Sequence, residues 1–153
     1  MPESKFVYVT FIRSTQEKVW KALQEPEFTR QYWVELVQES TWKKGAPWKT
    51  VAPDGRTIVS GEVLEYDPFK RYAVSWRHDK DPEIAKEGHS RMTCDLEQQG
   101  SSVKVTITHS IDKPESRVIT SVSTGWPFVL ASLKSFLETG QPIEESRTWP
   151  KGH

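Results

Sequence analysis

Apolar side chains recur every third or fourth residue across the last third of the chain. Trp126, Leu130, Leu133 and Leu137 follow one another at steps of four, three and four, and Val129 and Phe136 widen the stripe. This spacing predicts one long amphipathic helix between Thr124 and Gly140. Thr124 is placed to accept backbone N–H groups as the N-cap, Pro127 falls in the first turn, and Gly140 supplies the left-handed stop. Such a face has to be covered by another element. The remainder of the chain reads mostly as strand, so the expected cover is a sheet.

The first strand is expected at Phe6–Ile12, a run of β-branched and aromatic residues. Ser14 followed by Glu17 resembles a capping box ahead of Val19, Trp20 and Leu23, which share a helical face. A second short helix is expected from Pro26 to Trp33, because Phe28 and Tyr32 are four apart. Turn residues then divide the chain into short antiparallel strands: Gly45-Ala46-Pro47 before Trp48, Pro53-Asp54-Gly55 before Thr57 to Tyr66, and Asp67-Pro68 before Arg71 to Arg77. Ser90 to Glu97 and Ser102 to His109 make a last hairpin. In its second strand Val103, Val105, Ile107 and His109 alternate with Lys104, Thr106 and Thr108, so the sheet has a dry side. The mixed-charge segment from His78 to Glu83 reads as a solvated loop.

Composition narrows the function classes. Lys plus Arg and Asp plus Glu balance at 21 each, so no positive field draws a phosphate backbone, and nucleic acid is not expected as a partner. Cys94 is the only cysteine, which excludes an internal disulfide and Cys-paired zinc motifs. No apolar run approaches the ~20 residues of a membrane span, and no signal-peptide pattern opens the sequence. A cytoplasmic location is therefore expected. One domain is expected over residues 1–142, with 143–153 as a loosely attached tail.

The order strand, two short helices, antiparallel strands and a long terminal helix is an α+β arrangement. Ser14 to Leu23, Gly61 to Pro68 with Trp76, and Gly125-Trp126-Pro127 through Gly140 resemble the START/SRPBCC superfamily. More closely, they resemble its branch of homologues of the activator of heat shock protein 90 ATPase. The resemblance implies the helix-grip fold, in which a curved antiparallel sheet wraps around the C-terminal helix. It also implies an apolar cavity between the two. A dry void at the small end of ligand pockets, ~300 Å³, would cost roughly 7 kcal/mol, so a large cavity should hold water or a ligand.

The strand and helix faces nominate the walls of that cavity. They are Val63; Tyr72, Val74 and Trp76; Met92, Cys94 and Leu96; and Ile107 with His109, closed by Trp33, Trp126 and Leu130. His109 is a candidate to meet a ligand's polar end, and Glu65 points inward if its alternation with Gly61 and Val63 persists. Cys94 alternates with apolar neighbours, as a small buried hydrophobe does. No nucleophile elbow, phosphate loop or paired-His spacing is present, and neither a cofactor nor a metal is called for. The leading expectation is a noncatalytic binder of a small apolar or amphipathic molecule. Two alternatives come from the resemblance: a chaperone-associated protein, and a cavity enzyme of the polyketide cyclase or hydrolase type using His109 and Glu65.

Overall fold

A computed structural model describes residues 3–79 and 81–147. Lys80, in the expected loop, and residues 148–153, in the expected tail, lie outside the described residues. The chain forms β1 (Ser4–Ile12), α1 (Gln16–Gln24), α2 (Pro26–Tyr32), β2 (Val37–Ser40), β3 (Pro47–Val51), β4 (Thr57–Asp67) and β5 (Arg71–His78). It continues with α3 (Pro82–Ala85), β6 (Ser90–Gln99), β7 (Ser102–Ile111) and α4 (Arg117–Thr139). All seven strands join one antiparallel sheet in the order β1-β7-β6-β5-β4-β3-β2. Its inner face and the apolar stripe of α4 enclose the core, giving the expected helix-grip arrangement.

The dry side of β7 is the predicted one, with Val103, Val105, Ile107 and His109 all fully buried. Trp48 and Gly61 are cross-strand partners on β3 and β4. A Cβ on Gly61 would lie 1.9 Å from the Ser75 carbonyl oxygen, so only glycine allows β4 and β5 to approach there.

Three boundaries differ from expectation. The first helix is capped by Thr15, whose hydroxyl accepts the Lys18 N–H at 3.3 Å, rather than by Ser14. The Gln98 side chain instead accepts the Gln16 N–H and donates to the Ser14 carbonyl, tying this turn to β6. The expected loop from His78 to Glu83 is shorter, because His78 ends β5 and Asp81 caps the single turn of α3. The largest change is in α4, which starts two turns before Thr124. Ser116 caps it by accepting the Ile119 N–H, and the Glu87 carboxylate accepts from Ser116 Oγ at 2.5 Å and from the Arg117 N–H at 2.8 Å. Burial pulls the Glu87 carboxyl upward, but these hydrogen bonds hold it below its ordinary range.

Val118 and Val122 carry the buried stripe back to that cap, and Pro127 consequently sits inside the helix. The C-terminal stop is as expected, with Gly140 left-handed at φ 83° and its N–H on the Phe136 carbonyl. The segment after Pro142 is anchored through residue 147. The Ile143 N–H donates to Ser132 Oγ, Ser146 is fully buried against that hydroxyl at 2.6 Å, and the Val34 N–H donates to the Ser146 carbonyl at 2.7 Å. The loose attachment expected there does not apply to residues 143–147.

Replacing Ser116 with Ala should lower stability by about 1–2 kcal/mol, because a satisfied cap and a bond to Glu87 are lost. Thr124→Ala, inside the helix, should be neutral or stabilising by up to about 0.7 kcal/mol. Urea unfolding of both variants checks the assignment, and the reverse ranking would return the helix start to Thr124.

Candidate functional site

The cleft between the sheet and the first half of α4 holds about 140 Å³. Three indoles form its walls: Trp33 just after α2, Trp76 on β5 and Trp126 on α4. Val122 and Val129 add apolar surface from the helix, while His78, Ser121 and Gly125 complete the lining. Among the described residues no Lys, Arg, Asp or Glu lines it.

These rings pack as one cluster. The Trp126 centroid lies 5.5 Å from Trp33 and 5.6 Å from Trp76, and Trp76 lies 5.4 Å from Trp48. Inclined contacts at this spacing match the favoured geometry of aromatic pairs. Trp33 is carried by a left-handed loop, with φ 42° at Val34 and 62° at Glu35. Left-handed backbone is strained at a β-branched residue. The Ser146 carbonyl holds the Val34 N–H and so fixes the loop.

Gly125 forms the notch in the helical wall. It is exposed, and a Cβ added there would meet no other part of the protein within 4 Å. A glycine inside a helix costs about 0.5–1 kcal/mol relative to alanine. Packing does not require this one.

His109 lies behind the indoles, fully buried, and its hydrogen bonds form a chain of one direction. The Trp126 indole can only donate, and it donates to His109 Nδ1 at 3.2 Å. Nδ1 must therefore be unprotonated, which places the proton on Nε2. Nε2–H donates to Ser90 Oγ at 2.7 Å, and the Ser90 hydroxyl donates to the Trp76 carbonyl at 3.1 Å. Both ring nitrogens are committed to protein partners. Burial, with a smaller contribution from His78, pushes the imidazole down to about 3. The arrangement makes His109 a neutral pin for Trp126, and it has no hydrogen-bonding capacity left for a ligand's polar end.

The other nominated residues divide by depth. Trp33, Trp76 and Trp126 line the cleft. Val63, Tyr72, Met92, Cys94, Ile107 and Leu130 are sealed in the core, none more than 1% exposed. Tyr72, for example, meets Trp20 and Trp42 edge-on at 5.6 and 5.4 Å. Burial raises the phenols of Tyr32 and Tyr72 and the thiol of Cys94, keeping all three neutral. Glu65 does not face inward. A register shift between Val63 and Glu65 turns its side chain to the outer face, where it pairs with Arg71 and Arg91. His109 and Glu65 therefore do not form an acid–base pair.

Other hollows are wider but differently built. One of about 420 Å³ lies between Arg30, Gln31 and the stretch from Gly140 to Arg147, without an aromatic wall. No group of three or more His, Cys, Asp or Glu among the described residues is arranged to hold a metal ion. No helix among them is long and apolar enough to cross a membrane.

Residues 13–138 match the family described as Activator of Hsp90 ATPase homolog 1-like protein. Solved structures share the fold. Protein MLL2253 of Mesorhizobium loti superposes with a TM-score of 0.74 at 23% identity, covering 88% of this chain and 97% of its own. The Aha1 dimer of Colwellia psychrerythraea gives 0.69 at 22%, covering 90% and 98%. CalU16 of Micromonospora echinospora gives 0.69 at 17%, covering 89% and 77%. No curated protein matches the sequence.

The low-lying imidazole sets a pH dependence. The folded value of about 3 is below the ordinary 6.5, so the unfolded chain takes up this proton first. The stabilisation is complete above pH 6.5 and falls by up to about 1.4 kcal/mol per unit as pH drops from there towards 3. Unfolding midpoints of the parent and His109→Gln across that window check it, with the variant showing the shallower slope.

Proposed function

The chain belongs to the activator of Hsp90 ATPase homolog 1-like family, and from that premise we propose that it binds a small hydrophobic or amphipathic molecule between the sheet and the C-terminal helix, without catalysing a reaction. The observation that carries this reading is the uncharged hollow walled by three indoles, with Gly125, an exposed position of the helix, leaving its mouth free of a side chain. Tryptophan walls supply contact area, while Ser121 and His78 at the margin can orient a polar end. With its nitrogens engaged by Trp126 and Ser90, His109 offers no general acid or base, and Glu65 is on the opposite face.

The cleft is small. A dry cavity of about 150 Å³ suffices for benzene, so one ring or the end of an acyl chain fits, with the remainder of the ligand outside. Thermal unfolding against a panel of one-ring and short-chain apolar compounds should find members that raise the midpoint and quench tryptophan fluorescence. Gly125→Leu should fold normally and lose both responses. A parent protein indifferent to the whole panel would overturn the reading.

A second reading, association with a heat shock chaperone, is favoured by the family description and by the Colwellia Aha1 chain, which this chain covers almost completely. Stimulation of the chaperone's ATPase by the purified protein supports it. No stimulation and no capture of the chaperone would remove it.

A further inference from the structure

The two halves of α4 are built differently. Five of the nine residues 117–125 are β-branched and Gly125 closes the run, whereas from Phe128 to Glu138 only Val129 is β-branched. β-Branched residues and glycine are poor helix formers. Thr120 and Ser123 turn their hydroxyls back onto the Ser116 and Thr120 carbonyls, contacts that bend a helix. Pro127 has no N–H, so the Ser123 carbonyl lacks the amide that the next turn would supply. The weaker half therefore ends at a point of flexure, Gly125 to Pro127.

Anchorage divides in the same way. Beyond the flexure, Ser132 bonds Ser146, Lys134 Nζ donates to the Phe11 carbonyl, and the Glu138 carboxylate accepts the Arg13 N–H. At the flexure, His109 holds Trp126. Before it, the directed bonds to the rest of the described residues lie at the helix start. The Glu87 carboxylate accepts from Ser116 Oγ, the Arg117 N–H and the Val118 N–H at 2.5, 2.8 and 3.4 Å, and Ser4 Oγ accepts the Ser116 N–H at 3.1 Å. Val118 and Val122 add burial, which is non-directional. Ser121, Val122 and Gly125, all in this half, line the cleft.

We propose that residues 117–125 of α4 form a gate over the cleft: they swing from the sheet as a unit about Gly125–Pro127, and Glu87 is the latch that holds them shut. Segments that move in ligand exchange come from the least stable part of a fold, and here the weak half-helix borders the cleft. Trp126, pinned by His109, stays in place as the gate opens, so the indole wall survives while the wall opposite recedes. The role of the gate as an entrance rests on the ligand-binding reading. The motion itself does not.

Thiol labelling of the full chain tests it. Cys94, fully buried on β6, reports opening of the whole core and serves as the reference within each molecule. Val118→Cys and Val122→Cys place a thiol beneath the gate, and Ser132→Cys places one in the buried face beyond the flexure. Iodoacetamide modification is followed by mass spectrometry, each site normalised to its rate in the urea-unfolded chain. The thiols at 118 and 122 should share one rate, at least about tenfold above that of Cys94, while the thiol at 132 follows Cys94. Glu87→Gln keeps the side-chain length and removes the charge, and should speed labelling at both gate positions by about tenfold. One rate for positions 118, 122 and 94 would mean that only global unfolding exposes them. Fast labelling at 118 with slow labelling at 122 would mean fraying of the first turn, and fast labelling at 132 would mean that the whole helix detaches. Rates at 122 indifferent to Glu87→Gln would mean direct access through the cleft. Each of these overturns the gate and leaves the binding reading standing, which the compound panel tests separately.

Discussion

The hydrogen bond from the Trp126 indole to His109 joins the two halves of this fold. It runs from the middle of the long helix to the inner face of β7, at 3.2 Å and out of reach of water. Apolar packing alone would let a helix slide or rotate on a smooth sheet, since burial is non-directional. This directed bond at mid-helix, with the Ser116 N–H on Ser4 Oγ and the Arg13 N–H on the Glu138 carboxylate at the two ends, fixes the register. It also fixes the proton, because an imidazole held between an indole donor and a serine whose hydroxyl is turned to the Trp76 carbonyl has one consistent tautomer. The residue that sequence nominates as the ligand's polar contact thus orients the aromatic wall from behind.

The space beside that wall results from subtraction. Most of the expected cavity is filled: Val63, Tyr72, Met92, Cys94, Ile107 and Leu130 interlock in the core. What is left is about 140 Å³ next to a glycine that has room for a methyl group. A sealed dry void of ~300 Å³ would cost roughly 7 kcal/mol, a large share of a typical total stability of about 5–15 kcal/mol. The hollow left here is smaller and opens to solvent, so it can exist without a permanently bound partner.

Alternation and period carried most of the architecture. The dry face of β7, the α1 face of Val19, Trp20 and Leu23, and the stripe from Trp126 to Leu137 are all legible, because each follows from burial on one side of a regular element. The misses have other causes. The first two turns of α4 are rich in β-branched and hydroxyl residues that favour strands and caps locally, and packing of Val118 and Val122 overrides them. β2 carries an inward Gln38, paired with Trp48 and the Leu23 carbonyl, so its pattern does not look apolar. A one-residue register shift reverses Glu65, which no count of alternating positions could reveal. Of the aromatic and histidine residues lining the cleft, Trp33, Trp76 and Trp126 are legible as inward residues and His78 is not, while the role of His109 behind them depends on which atoms its neighbours present. Gly125 was quoted only as part of a family motif. A mid-helix glycine on a flank of the buried stripe is the signal that would have found it.

The neutral, doubly engaged imidazole is the point on which the rest turns. Nitrogen-15 NMR of His109 at pH 5 measures it directly: the account predicts an Nε2–H, Nδ1-bare ring with a coupling across the bond to the Trp126 indole proton. An imidazolium at that pH, or a proton on Nδ1, would contradict it.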